Sequence, residues 1–79
     1  MTNEDFKTIL NFQGGGCGIC GLVSEDLHVD HDHATNNVRG LLCNRCNLGL
    51  GSLGDSLECV LNAAKYLSNP PATIGSNPI

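Results

Sequence analysis

Two Cys-x-x-Cys pairs, Cys17/Cys20 and Cys43/Cys46, stand 22 residues apart in a chain of 79. Two residues between thiolates let a tight turn aim both sulfurs at one ion. Two such turns complete a tetrahedral four-sulfur site, which suits zinc. The pattern constrains the chain because little else can hold it together. A core of this size supplies only ~3–5 kcal/mol, and two Phe, one Tyr and no Trp give few large side chains to bury. Metal-linked folding in small zinc domains supplies on the order of 10 kcal/mol or more. Disulfide or redox use of the same cysteines is the alternative. The odd count of five and the acidic start Met1-Thr2-Asn3-Glu4-Asp5-Phe6, without a charged-then-apolar leader, favour reduced thiols and a cytoplasmic setting. Cys59 is left over and is expected to be a free, partly buried thiol without a role.

The remaining elements are short. Residues 1–13 read as a lead-in with a weak helical stripe at Phe6, Ile9 and Leu10, broken by Gly14-Gly15-Gly16. Leu27-His28-Val29 is a strand candidate, residues 30–37 a polar turn, and residues 38–42 the returning strand. Cys43 to Leu48 opens a short helix that Gly49, Gly51 and Gly54 end or interrupt. A clearer helix runs from about Asp55, its expected N-cap, to Leu67, with Leu57, Val60, Leu61, Ala64 and Leu67 on one face. Asn69-Pro70-Pro71 stops it, and residues 68–79 read as an extended or disordered tail. No apolar run approaches the ~18 residues of a membrane span.

Between the cysteine pairs lies Val29-Asp30-His31-Asp32-His33. A zinc unit that only holds structure needs nothing there but turn chemistry. Two carboxylates and two imidazoles within four residues suggest a site. A hard cation such as Mg²⁺ takes oxygen ligands, which Asp30 or Asp32 could give. An imidazole near its ordinary pKa can act as general base. Asn47 offers an amide oxygen just after the second cysteine pair. The competing reading is a polar loop whose side chains cap backbone groups. In a regular strand Asp30 and His31 would point to opposite faces, so one site for both requires a bend.

These residues together resemble the recombination endonuclease VII family, phage-type HNH nucleases with a ββα-metal (His-Me finger) fold. The stretch carrying the likeness spans roughly residues 14–67: Cys17-Gly-Ile-Cys20, Leu27-His28-Val29-Asp30-His31-Asp32-His33, Val38-Arg39-Gly40-Leu41-Leu42-Cys43-Asn44-Arg45-Cys46-Asn47, and Ala64-Lys65-Tyr66-Leu67. Either cysteine pair alone would be weak; the ordered set is specific. The resemblance implies a small zinc-stapled α+β nuclease domain over 14–67. It implies His31 as the general base, Asp30 and Asn47 as ligands of one catalytic Mg²⁺ or Mn²⁺, and His33 as a second site histidine. It implies Cys17, Cys20, Cys43 and Cys46 as structural Zn²⁺ ligands, and products ending in 5′-phosphate and 3′-hydroxyl. It also implies the bend that brings Asp30 and His31 into one site.

DNA, duplex or branched, is the expected partner, with a homodimer or a targeting protein as further expectations and no membrane. If the chain is phage-encoded, its setting is the host-cell cytoplasm. Arg39 and Arg45 are phosphate-clamp candidates, since guanidinium matches phosphate oxygens; a structural ion pair is the alternative role. Two other readings are a zinc-stapled nucleic-acid- or protein-binding module that does not cut, and a toxin nuclease domain. Charge tells against a generic non-specific nucleic-acid binder, which would be basic, and against a toxin domain, which is usually larger and more basic. Here four Lys and Arg face eight Asp and Glu, for a net −4. Zinc with four thiolates takes the formal charge to −6. Weak, salt-sensitive DNA affinity through a few local cations is the expectation.

Overall fold

The computed structural model describes residues 1–73. In chain order the elements are α1 (Asn3–Phe12), β1 (His28–His31), β2 (Val38–Leu42), α2 (Asn44–Ser52), α3 (Leu57–Ser68) and a 3₁₀ turn at Pro71–Thr73. The domain is thus small and α+β: three helices, a two-stranded sheet and a four-cysteine cluster. The chain forms two compact units, Met1–Gly49 and Leu50–Ile79. Every residue singled out above as a site candidate lies in the first.

Helix α1 starts with a reciprocal cap. Thr2 Oγ1 accepts from the Asp5 N–H at 3.1 Å, and Asp5 Oδ2 accepts from the Thr2 N–H at 3.0 Å. Its end is a two-bond Schellman closure. The Gly15 N–H donates to the Leu10 carbonyl and the Gly14 N–H to the Asn11 carbonyl, with Gly14 at φ 77°. The expected stripe of Phe6, Ile9 and Leu10 is half-buried, and α1 packs against β2.

The sheet is one antiparallel hairpin. Strand β1 runs through Asp30 and His31, past the point where apolar residues stop. Pairing is made by the backbone, so it continues opposite Gly40 and Val38 although the side chains are polar. The register breaks between Asp30 and His31: Asp30 pairs with Gly40 but His31 with Val38, leaving Arg39 as the extra residue on β2. Asp32 closes the turn. Its Oδ1 accepts from the Ala34 and Thr35 N–H groups at 2.8 and 3.2 Å, and Asn36 takes the left-handed conformation at φ 63°.

The core is thin, as the composition requires. Its buried apolar members among the described residues are Cys17, Leu27, Leu41, Leu42 and Cys43, and only Leu41 is fully buried among large side chains. Two of these five are cysteines of the cluster.

Helix α2 differs from the expectation that its glycines would break it: it continues through Gly49 and Gly51 to Ser52. A helical glycine costs about 1 kcal/mol and forbids nothing. The stop comes at Gly54, φ 74°, where Gly54 N–H bonds the Gly51 carbonyl and Asp55 N–H the Leu50 carbonyl. That closure holds Asp55 at φ 54°, so Asp55 cannot adopt the extended backbone of an N-cap. Ser56 caps α3 instead, accepting from the Cys59 N–H at 3.1 Å. Cys59 is exposed, not partly buried. Helix α3 leaves Leu57, Leu61 and Leu67 exposed. Of the expected extended tail, residues 71–73 form the 3₁₀ turn; residues 74–79 lie outside the described residues. No helix among the described residues is long and apolar enough to cross a membrane.

Candidate metal centre and active site

The first cysteine pair sits on a tight turn after α1. The Gly21 N–H donates to the Cys17 carbonyl at 3.0 Å, and the Cys17 N–H to the Leu22 carbonyl at 2.9 Å. A Cβ on Gly16 would strike the Gly21 carbonyl oxygen, so a side chain there is excluded. The turn hangs on β2 through a Gly18 N–H bond to the Leu41 carbonyl at 2.9 Å. One residue beyond β2, Cys43 opens α2. Its carbonyl accepts from the Asn47 N–H, and its sulfur from the Cys46 N–H at 3.5 Å, so a cysteine acts as helix cap.

The four ligand sulfurs all lie within 4.8 Å of one another. Cys20 Sγ and Cys43 Sγ are 3.7 Å apart. Zinc–sulfur bonds of ~2.3 Å in a tetrahedron place sulfurs about 3.8 Å apart, whereas a disulfide requires about 2.05 Å. All five cysteines are free thiols. Their protonation is split. Burial pushes the Cys17 thiol up, but backbone hydrogen bonds from Cys43, Cys20 and Ile19 and the Cys20 thiol bring it down to about 6. Burial and the neighbouring sulfurs push Cys46 up to about 12. Four thiolates cannot ionise together without a cation among them. The donor set therefore fits zinc, and among the described residues it is the converging group of His, Cys, Asp and Glu. Arg45 lies beside it, its proton held more firmly by a hydrogen bond to Cys20 and by the charges of Cys20, Cys46 and Cys43.

The Asp-His-Asp-His segment is arranged differently. Asp30 is buried at 9% exposure. Arg39 grips both of its oxygens, Nε to Oδ2 at 2.7 Å and Nη2 to Oδ1 at 3.1 Å. Arg39 is thus brought to Asp30, in the ion pair weighed above as the alternative to a phosphate clamp. His31, His33 and Asn47 are exposed, as is Arg45. Asp32 is occupied in capping the turn. Among the described residues Asp30, His31, Asp32 and His33 do not form a second converging ligand group. Oxygen donors of the kind a hard cation takes are present separately: Asp30 carries an anionic carboxylate, held by Arg39, and Asn47 in α2 is exposed.

Gln13 is a residue the sequence reading missed. Its Nε2 donates to the Gly16 and Leu41 carbonyls at 2.9 and 3.0 Å, and its Oε1 accepts from the Leu41 N–H at 2.8 Å. The amide covers the outer edge of β2 as a third strand would. It ties α1, the first cysteine turn and the hairpin together. A Cβ on Gly40 would come within 2.8 Å of Gln13 Oε1. An isolated glycine inside a strand marks a close approach, and Gly40 was the available signal.

The family model for recombination endonuclease VII matches residues 1–69. The chain belongs to the recombination endonuclease VII family. The match begins at residue 1 and so takes in α1. Two relatives are the Gene 59 proteins of Mycobacterium phage L5 and Mycobacterium phage D29, each 46% identical over 76 residues. The alignment covers 91% of this chain and 46% of each relative, so the chain spans about half the length of the curated relatives it matches.

Proposed function

We propose that the chain is a metal-dependent HNH endonuclease or nickase of the endonuclease VII type, acting on duplex or branched DNA. Family membership over residues 1–69 carries the reading. The register break between Asp30 and His31 supports it, because a regular strand would send the two side chains to opposite faces. In this reading the hairpin and α2 form the ββα-metal core, and α1 and the cysteine cluster hold it. The phage relatives favour a phage protein working in host cytoplasm.

In the proposed mechanism His31, exposed on β1, takes a proton from the water that attacks phosphorus in line. Asp30 and Asn47 would hold Mg²⁺ or Mn²⁺, which supplies positive charge to the phosphate and the leaving 3′ oxygen. His33 orients the phosphate from the turn. Arg45, exposed at the start of α2, offers a guanidinium to a neighbouring phosphate. With a net charge of −4, affinity must come from these local groups.

The test is cleavage of linear duplex, supercoiled plasmid and a four-way junction by zinc-loaded protein in Mg²⁺ or Mn²⁺. Nicking or cutting of at least one substrate, abolished by EDTA, is expected. Binding without cutting under every condition would favour a non-cutting zinc-stapled module and sink the nuclease reading.

A further inference from the structure

Asp30 is a buried carboxylate, and a buried charge is kept only when it is paired. Arg39 meets that need with two hydrogen bonds, from Nε at 2.7 Å and Nη2 at 3.1 Å, one to each carboxylate oxygen; bidentate pairs of this kind are the strong ones. The same carboxylate is the proposed metal ligand. A dication on it would stand beside a fixed positive charge, and like charges at that separation repel. Arg39 is also the extra residue at the register break of β2, and its side chain is 34% exposed against 10% for Asp30. The carboxylate is buried, whereas the guanidinium reaches the solvent boundary.

We propose that Arg39 is a positioning residue that competes with the divalent cation for Asp30. It neutralises the carboxylate before metal binds, is displaced when metal arrives, and then presents its guanidinium to the DNA phosphate. This rests on Asp30 as a metal ligand and goes beyond it by making metal binding and phosphate binding a single exchange of cations. It also reconciles the two roles open to Arg39, ion pair and phosphate clamp, as successive states of one side chain. One consequence is a resting site that holds divalent metal weakly and does so better when phosphate is present to receive the guanidinium.

The experiment is Mn²⁺ titration of the zinc-loaded full chain without DNA, followed by electron paramagnetic resonance, on the parent, Arg39→Gln and Asp30→Asn. The expected result is Mn²⁺ binding about tenfold tighter in Arg39→Gln, the effect of removing roughly one close competing charge, with binding lost in Asp30→Asn. Unchanged or weaker binding in Arg39→Gln, with binding still lost in Asp30→Asn, overturns the exchange and leaves the metal reading standing. Mn²⁺ binding in Asp30→Asn equal to that in the parent, or no binding in either the parent or Arg39→Gln, overturns the metal reading and the exchange with it. Arg39→Gln strands a buried carboxylate and could fail to fold, so a second measurement uses the parent alone. The Arg39 Nε–H signal in ¹⁵N-correlated NMR should shift or exchange-broaden as Mg²⁺ is added. A signal unmoved while Mg²⁺ binds would contradict displacement.

Discussion

The cysteine cluster flanks the hairpin that carries the Asp30–His33 segment, and the two are prepared in opposite ways. The sulfurs converge at the spacing a tetrahedral zinc would impose. Backbone bonds aim them: the Gly18 N–H to the Leu41 carbonyl, the Cys46 N–H to the Cys43 sulfur, and the turn from Cys17 to Gly21. The acidic and imidazole groups do not converge. One carboxylate is clamped by Arg39, the other caps a turn, and both histidines are exposed. The contrast follows from what each region has to do. A structural ion must hold a thin core permanently, whereas a proposed catalytic ion must come and go with substrate. The holding region gathers four donors around one point; the working region is expected to complete itself only with metal and phosphate.

The largest effect expected from this contrast is on stability. Cys43→Ser, or zinc removal by a strong chelator, should unfold the first unit, since metal-linked energy on the order of 10 kcal/mol exceeds anything the core supplies. Far-UV circular dichroism with zinc quantitation checks it; a chelated protein that keeps its full spectrum would erase the distinction between the regions. Next comes the clasp between them. Gln13→Ala leaves the buried Leu41 N–H without its acceptor and should cost about 1–3 kcal/mol in urea unfolding. Gly40→Ala should act through the same contact, because its Cβ would come within 2.8 Å of Gln13 Oε1. The double variant is therefore expected to lose less than the two single losses together. Strict additivity would mean that the clasp and the glycine are unrelated.

The smallest effect is at the start of α1. Its capping hydrogen bonds with Thr2, backbone first and then hydroxyl, hold Asp5 below its ordinary 3.8. A lowered carboxylate contributes stability above the unfolded pKa and loses it as pH falls through the folded one. Amide exchange in the first turn of α1 should therefore accelerate only below about pH 4 in the parent, and Asp5→Asn should remove much of that acid dependence. An unchanged acid profile would show the cap to be idle.

The parts legible in sequence were those fixed by spacing and local chemistry. The cysteine pairs announced the cluster, the stripe at Phe6, Ile9 and Leu10 announced α1, and Val38–Leu42 announced β2. Asp55 shows where local rules compete. As a residue type it suits an N-cap, yet the Gly54 closure of α2 claims its backbone, and the cap moves to Ser56. The Gln13 clasp depends on groups 28 residues apart, and no periodicity encodes such a pairing. The Asp30–Arg39 grip is of the same kind: both residues were visible, but their meeting depends on the hairpin register and its break. The roles of His31, His33 and Asn47 rest on family resemblance, because exposed polar side chains leave no pattern of burial from which to read a function.

His31→Ala tests most directly whether a region that holds is separate from a region that works. Cleavage of supercoiled plasmid in Mg²⁺ should be measured on parent and variant samples of equal zinc content. The expected result is about one zinc per chain in both, equal thermal stability, and a rate lowered by roughly 10²–10⁴ in the variant. A variant that keeps its zinc and cuts as fast as the parent would contradict the account at its centre.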